Sequence, residues 1–231
     1  MKFIFLDTET TGLKEDRTIF KDTAAGSREY LQKGDEVIQI GGLITDANLV
    51  PLRLFCHHCD TTICSMDTKA QQTHGITMEF LRAYVKDIFL EEVLVTELPE
   101  LFESDIVTIG YNIQFDTKMI KQTICDSKQT LIFGNPIVNS IVPSEGKHTL
   151  DLVPFFIKYF NGKPVRQKLE SLAVKKTDDY NRFLVEFSNI PLHTNIPMEY
   201  AFPNGVHSHN SMYDSIICYL LTKDIWKRKL L

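Results

Sequence analysis

The sequence predicts an α/β domain, a mixed sheet of about five strands with helices on its faces, built as one unit. Three observations carry that expectation. A length of 231 residues suits one such domain. Three early strands joined by short turns give way to strands alternating with helices, the order of a mixed sheet covered by helices. Two runs of strand formers, Phe3–Leu6 and Ile106–Ile109, are each followed by a stop glycine, Gly12 and Gly110.

Taken in order, strands are expected over 2–9, 36–45 and 49–57, the last two joined by the Asp46-Ala47-Asn48 turn. Helices follow over 67–72, about 78–91 and around 98–103, then a strand over 105–110 and a helix over 115–125. A strand near 136–139 precedes helices over 150–160, 166–175 and 211–226. Residues 14–34 and 176–208 read as long loops, the first polar with Gly26 and Gly34, the second carrying Pro191, Pro197 and Pro203. They either wall the substrate channel or are surface variation.

Bulk properties narrow the classes. A net charge of −5 excludes a basic nucleic-acid coat protein, although bound divalent cations would offset negative charge at a local site. No apolar run approaches the ~20 residues of a membrane span. Asp7 and Glu9 interrupt the one apolar stretch a signal peptide could use. Five unevenly spaced cysteines suit free thiols in a reducing, cytoplasmic setting.

The most informative residues are acidic. Asp7 and Glu9 close the first strand two positions apart, so both carboxylates leave the same face. Two negative groups held that close need protons or cations between them, and hard oxygen ligands suit a divalent metal. Asp116 follows the Ile106–Gly110 run at the start of a helix-like stretch. Asp214 lies in the first turns of an apolar helix, and His209 stands just before it, where it could lean over a metal without ligating it.

Asp7-Thr8-Glu9-Thr10-Thr11-Gly12, Tyr111-Asn112-Ile113-Gln114-Phe115-Asp116 and His209 through Asp214 together resemble the three ordered motifs of the DEDDh exonucleases, the DnaQ-like branch of the ribonuclease-H-like superfamily. Lesser echoes are Asp35 to Gly42 as a second strand, Ala70 to Thr77 as a short helix and turn, and His148 to Leu152 before a later helix. Tyr111 departs from the pattern by replacing a histidine, at a position that does not ligate metal in the family.

The resemblance implies a ribonuclease-H-like fold and a metal-dependent 3′→5′ exonuclease releasing nucleoside 5′-monophosphates. Asp7, Glu9, Asp116 and Asp214 would hold two divalent ions, Mg²⁺ or Mn²⁺. One ion would activate a water and the other would steady the leaving oxygen. His209 would be the general base. Thr10 and Leu13 would lie along the terminal nucleotide, and Asn112 and Phe115 would line its other side, with core packing an equal reading of Phe115.

Other features carry less. His74, before Gly75, reads as structural by the same resemblance. Cys56-His57-His58-Cys59, with Cys64 nearby, has zinc-like spacing but lacks a second ligand pair. Gln129 to Phe133 superficially matches a sliding-clamp peptide but is internal. Lys158, Lys163, Arg166, Lys168, Lys175 and Lys176 form a basic cluster that either tracks a phosphate backbone or is a solvated helix face.

Nucleic acid is the expected partner, as a DNA or RNA 3′ end, with single-stranded DNA favoured and no membrane. The alternatives are an RNA-trimming exoribonuclease, a DNA polymerase III epsilon-like proofreading subunit, and a non-catalytic nucleic-acid-binding module. All five motif residues are present, which disfavours the last. The chain stopping after the third-motif helix argues for a free-standing enzyme. A polymerase or homodimer partner is not readable from the sequence.

Overall fold

A computed structural model describes residues 1–14, 17–23, 26–32, 34–102, 105–126, 149–160, 163–202 and 207–228. The first strand, β1 (Lys2–Thr10), is central because both its faces are apolar: Phe3 and Phe5 point one way, Ile4 and Leu6 the other, and all four are buried. It pairs antiparallel with β4 (Val37–Asp46), which pairs antiparallel with β5 (Pro51–His58) through the turn expected at Asp46. On its other side β1 pairs parallel with β6 (Ile106–Gly110), and β6 with the short β7 (Thr149–Asp151). A two-residue strand, β10 (Leu192–His193), extends the far edge parallel to β5. The sheet order is β10-β5-β4-β1-β6-β7, six strands rather than five.

Helices cover both faces. Helix α8 (Ser211–Lys227) lies along the Phe3/Phe5 face, with Trp226 edge-on to Phe3 and Tyr219 edge-on to Phe5 at 5.4 Å. Helices α3 (Leu90–Glu97) and α4 (Ile113–Asp126) cover the Ile4/Leu6 face through Leu90, Leu94, Met119 and Ile120. Gly41 lets α8 come this close: a Cβ there would fall on the Ser211 side chain and the Met212 backbone nitrogen. The small helices α1 (Thr68–His74) and α2 (Met78–Tyr84) follow β5, and α2 ends at Val85 instead of running to 91.

Several expected elements change type. The segment 14–34 contains a hairpin, β2 (Arg17–Thr23) with β3 (Gly26–Gln32). The helix expected around 98–103 is a single 3₁₀ turn, Pro99–Phe102. The helix expected over 150–160 is instead β7, a 3₁₀ turn at Val153–Phe156 and strand β8 (Ile157–Phe160). Pro154 suits a helical first turn, but the aromatic and β-branched run after it favours a strand. β8 pairs with β9 (Lys163–Arg166), so the helix expected over 166–175 shrinks to α5 (Leu169–Ala173) and a 3₁₀ turn. The segment 176–208 holds α6 (Thr177–Glu186), β10 and α7 (Met198–Ala201). The strand expected at 136–139 and the clamp-like Gln129–Phe133 lie outside the described residues. Among the described residues, no helix is long and apolar enough to cross a membrane.

Candidate active site

The side-chain parity of β1 decides where its acids go. Asp7 and Glu9 continue the row of Phe3 and Phe5, so they emerge on the α8 face. Pairing with β6 ends at Phe5, so both acids sit beyond the C-terminal end of the parallel neighbour. That end is where ligand sites form in open α/β sheets.

Asp214 meets them because the N-terminus of α8 is pinned. Gln39 on β4 accepts from the Ser211 N–H at 3.0 Å and the Ser211 hydroxyl at 2.8 Å, and the Ser215 hydroxyl donates to the Gly41 carbonyl at 2.9 Å. The Asn210 side chain caps the helix from the Tyr213 N–H. One carboxylate oxygen each of Asp7, Glu9 and Asp214 then lies within 4.8 Å of the others. Asp116 arrives from α4 on the opposite face. Its Oδ1 accepts from the Thr8 N–H at 3.0 Å and the Thr8 hydroxyl at 2.8 Å, the residue between the two strand acids.

These four groups repel one another in a buried setting. Burial, then Asp116, Asp214 and Glu9, push the Asp7 carboxyl well above its ordinary value. Glu9 is raised by burial and by Asp214 and Asp116. Burial pushes Asp116 and Asp214 up to about 7, against the opposing hydrogen bonds from Thr8 and from His209. Among the described residues no lysine or arginine forms an ion pair with any of the four. A set of hard, mutually repelling oxygens without a cationic side chain fits divalent cations.

His209 stands at the entrance in a left-handed conformation, φ 63°, which turns its N–H onto Asp214 Oδ2 at 3.0 Å. Its Nε2 faces Glu170 Oε1 on α5 at 3.5 Å. A cleft of about 550 Å³ opens here, lined by Asp7, Glu9, Asp116, Asp214 and His209 together with Phe115, and rimmed by Tyr111, Arg166, Lys168 and Glu170. Phe115 thus reaches the cleft while also packing on the core.

A second cleft of about 480 Å³ meets the first at Glu9 and is lined by Thr10, Leu13, Lys69 and His74. Leu13 is 77% exposed with its side chain presented to this space. The Thr10 hydroxyl is spent on the Gly12 carbonyl at 2.5 Å. His74 accepts the Ile76 N–H at Nδ1, leaving Nε2–H to donate to the Thr10 carbonyl at 3.2 Å, so it braces the loop. Asn112, also at positive φ, gives its N–H to Asp151, and it lines neither cleft.

Tyr111, the departure in the second motif, donates its hydroxyl to the Gln167 carbonyl and carries the Arg166 guanidinium 5.2 Å over its ring. The sequence does not mark Glu170, Arg166 or Lys168 as site residues, although Arg166 and Lys168 belong to its basic cluster. No spacing links them to the acids, which come from other elements. Cys56 and Cys59 are buried free thiols, and among the described residues the one group of potential metal ligands is Asp7, Glu9 and Asp214.

The model of the exonuclease family designated RNase T matches residues 4–175. The chain belongs to this exonuclease family. The matched span carries Asp7, Glu9 and Asp116, and the family member's His209 and Asp214 lie past its end. Among solved structures, exonuclease I of Methylocaldum szegediense superposes with a TM-score of 0.61 at 17% identity, covering 99% of this chain and 41% of that one. Exonuclease I of E. coli gives 0.58 at 15% identity in its zinc-bound complex with single-stranded DNA, covering 99% and 41%. The same enzyme with a dT13 oligonucleotide gives 0.56 at 14%, covering 99% and 40%. The chain therefore shares the fold of those enzymes and spans about two fifths of their length. No curated protein matches the sequence.

Proposed function

We propose that this family member is a metal-dependent 3′→5′ exonuclease that removes nucleoside 5′-monophosphates from nucleic-acid ends, with single-stranded DNA the favoured substrate. The observation that carries the reading is the convergence of Asp7, Glu9 and Asp214 within 4.8 Å, with Asp116 held beside them by Thr8. Asp7, Glu9, Asp116 and Asp214 would hold two divalent cations, Mg²⁺ or Mn²⁺. Bound there, the cations supply an acidified water and charge stabilisation for the departing oxygen.

The protein's own side chains do the rest. His209 takes the proton of the attacking water, which requires its Nε2 to turn from Glu170. Leu13 wedges against the base of the terminal nucleotide in the second cleft, and Thr10 shapes the backbone beneath it. Phe115 lines the cleft beside the acids, and Asn112 sets the turn that starts α4. Two clefts meeting at Glu9 suit an enzyme that seats one terminal unit on one side and the remaining strand on the other. The oligonucleotide-bound neighbours support a DNA strand as that ligand.

The test is product analysis on uniformly labelled DNA and RNA of one sequence, with Mg²⁺, with Mn²⁺ and with EDTA. Nucleoside 5′-monophosphates in the metal arms alone are expected, with DNA consumed faster. Binding without release of any nucleotide in every arm would leave a nucleic-acid-binding module instead.

A further inference from the structure

We infer that Arg166 and Lys168 grip the phosphates of the strand behind the scissile bond, and that Tyr111 is the positioning residue that holds them at the cleft. The inference rests on the exonuclease reading and assigns the path of its substrate. Both cations line the same cleft as the four acids, and both are exposed. Among the described residues neither forms an ion pair, whereas Lys176, from the same basic cluster, is tied to Asp179 and Asp224. Cations at the lip of a strongly acidic cleft, kept apart from those acids, suit an incoming polyanion.

Their placement is specific. β9 ends at Arg166, and Lys168 is the residue just before α5, so the pair flanks Gln167 in the two-residue turn between strand and helix. Tyr111 clamps that turn twice, by its hydroxyl on the Gln167 carbonyl and by its ring under the Arg166 guanidinium at 5.2 Å. The buried Tyr111 directly precedes the stretch that leads to Asp116, so it ties the basic lip to the acid-bearing helix. Leu13, by contrast, lies in the other cleft, across Glu9. A strand would then place its last nucleotide towards Leu13 and its preceding phosphates on Arg166 and Lys168.

The experiment compares two substrates in Mn²⁺. One is the p-nitrophenyl ester of thymidine 5′-monophosphate, which has no upstream phosphate, and the other is a single-stranded oligonucleotide. For the double variant Arg166→Ala, Lys168→Ala, the ratio of oligonucleotide to ester kcat/KM is expected to fall about tenfold, through KM. The salt dependence of oligonucleotide affinity should lose roughly 0.7 in logarithmic slope per cation removed. Tyr111→Phe, which keeps the ring and loses the bond to Gln167, should lower the same ratio by a smaller factor, again in KM. An unchanged ratio and slope would overturn the grip, as would equal loss on both substrates, which would put the pair in the chemistry. A native protein inactive on both substrates would fail the exonuclease reading itself, and this inference with it. Melting temperatures of the variants within a few degrees of the native protein exclude unfolding as the cause.

Discussion

The Nε2 of His209 lies 3.5 Å from Oε1 of Glu170, while the His209 backbone N–H is bonded to Asp214. One residue therefore joins a site acid through its main chain and an outside carboxylate through its ring. The ring is held, but by a half-exposed pair worth at most about 1 kcal/mol. His209→Ala should lower kcat by about 10²- to 10⁴-fold with oligonucleotide binding retained. Glu170→Gln should change kcat by no more than about fivefold, the value of a weak orienting contact. Steady-state kinetics on both variants decides between base and bystander, since equal small effects would remove His209 from the chemistry.

The close approach of α8 to β4 at Gly41 gives a second prediction. Gly41→Ala places a methyl group on the Met212 nitrogen and Ser211, the residues that aim Asp214. Overpacking of this kind costs about 1–3 kcal/mol. A lower melting temperature together with reduced kcat is expected, measured by thermal denaturation and by single-turnover cleavage.

Metal and proton should compete for the four acids. Their folded values are raised, Asp116 and Asp214 to about 7. Groups shifted that way add stability that is fully present below their unfolded values near 4 and is lost as pH rises through about 7. Metal-free protein should therefore carry its largest penalty from this site at pH 8. Mn²⁺ at a hundredfold excess over its Kd should add about 2.7 kcal/mol. The Mn²⁺-induced rise in melting temperature should be larger at pH 8 than at pH 5.5, and equal rises would contradict the protonated-carboxylate account.

Two buried imidazoles act in the opposite sense. Burial lowers His57 to about 4 and His58 to about 3, and neither ring nitrogen of His57 is hydrogen-bonded. The unfolded chain binds protons near 6.5 and the folded chain does not, so stability falls as pH drops from about 6.5 towards 4. His57→Phe, which can keep the stacking on Phe55, should flatten that acid limb in a plot of melting temperature against pH.

Much of the site was legible because it is local. The two-residue period of a strand fixes Asp7 and Glu9 on one face, and first-turn positions on two helices, the second of them apolar, carry Asp116 and Asp214. The hairpin at Arg17–Gln32 was hidden by its polar composition, which shows no apolar alternation to read in the sequence. The stretch from Val153 to Arg166 misled because a short apolar run has no distinguishable period, and Pro154 suggests a helix start that one 3₁₀ turn satisfies. That error also concealed the cleft rim: Arg166 is brought to the lip of the acids' cleft by a hairpin and by Tyr111, a contact between elements that no sequence spacing encodes. The zinc-like spacing of Cys56 and Cys59, which already lacks a second ligand pair in the sequence, gathers no group of three potential ligands among the described residues, and both thiols are buried in core packing.

The most direct measurement is cleavage of a 5′-labelled single-stranded DNA by the native protein and by Asp7→Asn in Mg²⁺, resolved by length. The account predicts a ladder that shortens stepwise from the 3′ end with native protein and an intact strand with the variant. Immediate release of labelled mononucleotide, internal cuts, or equal activity of Asp7→Asn would contradict it.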